Sequence, residues 1–78
     1  MKRKIMIMKF VPGAFEQGAY EEVCLLPVAK HKGIPEAMKT AEREIKKLQR
    51  SEPDTKFGYW IVADTGKAHE IISDFVEV

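Results

Sequence analysis

The run Phe57-Gly58-Tyr59-Trp60-Ile61-Val62-Ala63 carries no charged residue. Strand side chains alternate between faces, so a half-exposed strand should alternate apolar with polar. This run does not, and neither does Ile5-Met6-Ile7-Met8 near the N-terminus. Two such strands ask for cover on both faces of a sheet. The chain has one segment of helical periodicity with which to provide it.

That segment is well marked. Pro35 suits the first helical position and Glu36 the positive end of the helix dipole. Ile34, Ala37, Met38, Ala41, Ile45 and Leu48 fall on one stripe. Lys46, Lys47 and Arg50 favour the C-terminal end, and Pro53 forbids continuation. The spacing predicts a helix over 35–50, about 24 Å long. Ala37 and Ala41 would let it sit close to a sheet, and its outer charges read as a solvated face with a Glu42–Lys46 pair.

Strands are expected at about Arg3–Val11, Tyr20–Ala29, Lys56–Ala63 and Lys67–Val76. Pro12 to Gly18 and Lys30 to Gly33 read as connections, and Asp64-Thr65-Gly66 as a type I turn closed by a left-handed glycine. The result is a single α+β domain over 1–78, in the order ββαββ. Pro27 has no N–H for a ladder, which puts strand two at an edge or bulge. The doubly apolar strands belong in the middle. Both points favour spatial order 2-1-3-4 with every neighbour antiparallel, over a β-grasp-like 2-1-4-3 order with a parallel central pair.

Four strands span about 19 Å between them, whereas one helix is about 10 Å wide. Strand one offers Ile5, Ile7 and Val11 to one side and Met6, Met8 and Phe10 to the other. Strand three offers Tyr59 and Ile61 to one side and Trp60 and Val62 to the other. Whichever set meets the helix, the other leaves an open apolar patch of about 400–600 Å². Met6, Met8, Phe10, Tyr59, Trp60 and Val62 are therefore the candidate partner-binding residues, with one of the two rings assigned to the core. A domain of 78 residues hides only roughly 60–65% of its unfolded surface, which also favours association.

Composition narrows the alternatives. Net charge is +1, with residues 1–32 basic and residues 57–78 acidic. The one cysteine, Cys24, allows no internal disulfide and fits a reducing cytoplasm. Lys9 interrupts the N-terminal apolar stretch after four residues, too short for a membrane span or signal peptide.

Several residues carry possible chemistry. Asp64-Thr65-Gly66, after Ile61-Val62-Ala63, resembles the Asp-Thr-Gly signature of aspartic proteases, which implies two carboxylates, one from each subunit of a dimer, sharing a proton. Lys67 departs from that pattern, a helix precedes it, and a hairpin turn accounts for the same residues. His69-Glu70 lacks the second histidine of a zinc helix, and Cys24, His31 and His69 read as an inert thiol and two surface histidines, so no metal or cofactor is expected. Lys30 and Lys32, before the helix N-terminus, could meet an anion. Lys2, Arg3 and Lys4, with those two lysines and an exposed aromatic, could meet nucleic acid.

The expected function is a small non-enzymatic protein–protein interaction module that buries its open sheet face against a copy of itself or another protein. Its size suits an adaptor, inhibitor or regulator of the kind encoded by phages and mobile elements. Nucleic-acid binding through the basic residues is the alternative.

Overall fold

The computed structural model describes residues 2–78. In chain order the elements are β1 (Lys2–Val11), β2 (Ala19–Pro27), α1 (Ile34–Ser51), β3 (Phe57–Asp64), β4 (His69–Ile71) and β5 (Val76–Glu77). They form one antiparallel sheet in the order β2-β1-β3-β4, with β5 also paired to β3. The 2-1-3-4 arrangement holds, and the parallel pair of a β-grasp sheet is not formed.

Both doubly apolar strands lie at the centre. Ile5 pairs with Ile61 and Ile7 with Tyr59. These four pack with Phe57 against Ala37, Ala41 and Ile45 of α1, all at most 3% exposed. Every other position of the helical stripe, Ile34, Met38 and Leu48, packs around that cluster. The two alanines lie centrally on the buried side, where a small side chain lets the helix axis approach the sheet. Glu36 returns its carboxylate to the Gly33 N–H at 2.8 Å, closing the helix start. On the outer face the close ion pair is Glu44–Lys47 at 3.2 Å, in place of the expected Glu42–Lys46.

The fourth strand departs from expectation. It breaks into β4 and β5, because the six residues from Ile71 to Val76 span what β3 covers in four, from Val62 to Tyr59. The Ser73 side chain fills the gap in the ladder: Ile61 donates its N–H to Ser73 Oγ at 2.8 Å and accepts from Ile72 N–H at 2.9 Å. A hydroxyl thus replaces a missing backbone acceptor, as buried amides require. The extra residues carry Phe75 across to the face opposite the helix, where its ring meets Trp60.

Candidate functional site

Register sorts the face away from α1 into rows across the strands. Tyr20 pairs with Phe10 in the first, and Glu22, Met8, Gly58 and Glu77 form the second. Leu25, Met6 and Trp60 make the third, and Pro27, Lys4, Val62 and Ile71 the fourth. Lys2, Asp64 and His69 end the face. Among the described residues no element is layered over it: α1 packs on the side of Ile5, Ile7, Tyr59 and Ile61.

An aromatic arc crosses this face. Phe10 and Tyr20 stand 5.4 Å apart, Tyr20 and Phe75 4.7 Å, and Phe75 and Trp60 5.3 Å, each pair edge-to-face. Such geometry aligns ring edge with ring face, and adds about 0.5–1.5 kcal/mol per pair beyond area burial. Gly58 makes the arc possible. A β-carbon there would lie 2.7 Å from Phe75 Cε2 and 2.8 Å from the Val76 carbonyl oxygen. Trp60 donates its indole N–H to Met6 Sδ at 3.3 Å, which fixes the ring over the middle row. Burial, and then the neighbouring Glu77 carboxylate, raises the pKa of the Tyr20 hydroxyl above its ordinary value.

Met6, Met8, Phe10 and Trp60 all stand on this face, each half-buried. Two expected contacts do not serve. Tyr59 points into the helix-packed core at 0% exposure, and Val62, although on the open side by register, is fully covered. The reason for Tyr59 is parity: it shares the Ile5, Ile7 and Ile61 face, whereas Trp60 takes the other. Its buried hydroxyl has no hydrogen-bond partner among the described residues. Tyr59→Phe should therefore raise stability by about 1 kcal/mol, because a desolvated hydroxyl without a partner is a net cost. A fall in denaturation midpoint would contradict this.

Tyr20, Leu25, Ile71 and Phe75 belong to the face and were not among the expected contacts. Ile71 is its most exposed large apolar side chain, at 54%. The isolated Gly58 in an apolar strand was the available signal, since such a glycine marks a close approach.

The charged candidates divide between faces. Lys2 and Lys4 stand at one end of the open face, and Arg3 on the other side donates to the Lys32 carbonyl at 3.0 Å. Lys30 and Lys32 lie in the β2–α1 connection. The helix start beside them already holds an anion of its own, the Glu36 carboxylate. Its pKa is lowered by hydrogen bonds from the Glu36 and Gly33 backbone. Lys32 also borders a cleft of about 220 Å³ between α1 and the end of β2, below the range that drug-sized ligands fill.

Asp64 shapes the turn. Its Oδ1 accepts the Gly66 N–H at 2.9 Å, with Gly66 at φ 86°, and its Oδ2 pairs with Lys4 Nζ at 3.0 Å. His69 Nε2 lies 3.9 Å from the same oxygen. The Gly66 amide first, then Lys4, lowers the carboxyl pKa. That favours the ionised carboxylate. The sign of the linkage follows. Stability from this group is full above the unfolded value of about 3.9 and is lost as pH falls through the lower folded value. Asp64→Asn should lower stability at neutral pH and flatten the acid limb below about pH 4. An unchanged limb would remove Asp64 from the acid response.

Among the described residues no three histidine, cysteine or acidic side chains gather closely enough to hold a metal ion. Cys24 packs partly against the core, and burial raises its pKa, so it is a poor nucleophile. Among the described residues no helix is long and apolar enough to cross a membrane. No protein-family model, curated protein or solved structure matches the chain.

Proposed function

We propose that this chain is a non-enzymatic binding module that docks a protein on its open sheet face, in a reducing cytoplasm where Cys24 stays a thiol. The observation that carries the reading is the uncovered row structure: Met6, Leu25, Trp60, Ile71 and Phe75 share a face over which the described residues lay no second layer. Methionine and aromatic side chains are enriched in interface cores, and the aromatic arc holds several of them rigid before binding. Nucleic acid is the weaker reading, because Lys2 and Lys4 are separated from Arg3 by the sheet itself and share their face with Glu22 and Glu77. Steep salt dependence belongs to that alternative.

A photo-crosslinking residue replacing Ile71 tests the proposal, with one replacing exposed Arg43 on α1 as control. Illumination in the source cell should give a nuclease-resistant protein adduct from position 71 and not from position 43. A nuclease-sensitive adduct, or none, would overturn the protein-binding reading.

A further inference from the structure

We propose that the occupant of the open face is a second copy of this chain, related by a two-fold axis that lies in the interface across the strands, along the Leu25–Met6–Trp60 row. This inference rests on the reading of the face as a protein-binding surface and names its partner.

Surface area gives the first argument. The chain exposes 5523 Å². A compact monomer of 8.9 kDa is expected to expose about 4,800 Å². The surplus of roughly 700 Å² is close to the ~800 Å² that each partner contributes to a standard interface. Shape agrees: the molecule measures 37 × 27 × 17 Å, a slab of one helix layer on one sheet layer. Its radius of gyration of 12.8 Å exceeds the ~11.5 Å expected for this length. A second copy on the open face makes a helix–sheet–sheet–helix stack with both sheets covered.

The edges leave little alternative for self-association. β2 carries exposed Glu21 and Glu22, an extra residue that shifts its register opposite Ile7 and Met8, and a terminal Pro27. The opposite edge is broken into strands of three and two residues. Charges, bulges, proline and short strands all discourage edge pairing. The face remains.

Charge selects the axis. At one end Lys2 and Lys4 outnumber Asp64 by one. At the other, Glu22 and Glu77 outnumber Lys56, which precedes β3, by one. A two-fold across the strands turns one copy end for end, so each basic end meets its partner's acidic end. The row of Pro27, Lys4, Val62 and Ile71 then faces the row of Glu22, Met8, Gly58 and Glu77, and Lys2 faces the rings of Phe10 and Tyr20. A two-fold along the strands would instead set Glu22 against Glu77, and like charges across a buried face are repulsive.

Sedimentation of the purified full chain, with thiol crosslinking, tests this. The expected mass is twice the 8.9 kDa of the chain. Ile71→Glu should reduce it to the monomer while leaving helical circular dichroism unchanged, since Ile71 contributes an exposed side chain. In a Cys24→Ala background, chains with Glu22→Cys mixed with chains with Pro27→Cys should form a covalent dimer through a short bismaleimide. A mixture of Glu22→Cys and Glu77→Cys should not. A monomer at high concentration, or a dimer that survives Ile71→Glu, would overturn the second copy, and crosslinking of Glu22→Cys to Glu77→Cys would overturn the axis. A purified monomer that still gives an adduct with a different protein from position 71 defeats this inference and leaves the binding reading intact.

Discussion

Gly58→Ala should lower the melting temperature by roughly 10–20 °C and shift Trp60 fluorescence to the red. The added carbon would stand 2.8 Å from the Val76 carbonyl oxygen, a backbone atom that cannot rotate away. It would also stand 2.7 Å from Phe75 Cε2. Side-chain rotation relieves the second clash by ejecting Phe75 from its contacts with Tyr20 and Trp60. The first clash is relieved only if β5 moves off β3, which loses the Val78 N–H bond to the Phe57 carbonyl. Overpacking of this kind costs about 1–3 kcal/mol, and each lost aromatic pair about 0.5–1.5 kcal/mol. Alanine's smaller backbone entropy loss returns about 0.5–1 kcal/mol, leaving a net cost of about 3 kcal/mol at the middle of these ranges. In a domain of this length 1 kcal/mol moves the midpoint by roughly 4–8 °C. A midpoint within a few degrees of the parent protein would show that Phe75 and β5 do not depend on that close approach.

The same glycine marks the limit of what the sequence discloses. The helix, the central strands and their order follow from periodicity, from Pro27 and from the absence of alternation, all local features. The open face follows too, because one helix cannot cover four strands on both sides. Which ring faced the helix did not follow, since parity in β3 is undetermined until pairing with Ile5 and Ile7 is known. The broken edge strand was hidden for a similar reason. Ser73 serves as an acceptor only because Ile61 arrives opposite it from a distant part of the chain. Phe75, Tyr20 and Leu25 join Met6 and Trp60 through long-range register, which no local pattern carries. The bond from the Gly33 N–H to Glu36 at the helix start beside Lys32 is a local contact, three residues apart in sequence.

Ile45→Ala should lower the melting temperature by roughly 10–30 °C, and the midpoints of variant and parent alike should climb as protein concentration rises. Ile45 is 0% exposed in the centre of the helical stripe, packed in the same cluster as Ile5, Ile7, Tyr59 and Ile61. Truncating a buried isoleucine removes transfer energy and leaves a cavity, together about 2–5 kcal/mol. A chain of 78 residues has a total stability of roughly 4–12 kcal/mol, so the variant stands near the unfolding threshold. The truncated atoms belong to the helix-packed layer, so the open face keeps its residues. If that face binds a second copy, association stabilises the folded variant by mass action, and its midpoint climbs with concentration. Scanning calorimetry over a wide concentration range separates the two effects. A midpoint within a few degrees of the parent would deny Ile45 its place at the centre of the core. A large loss with midpoints of variant and parent that do not change with concentration would leave the core as described, and would mean that the folded monomer gains nothing from a second copy.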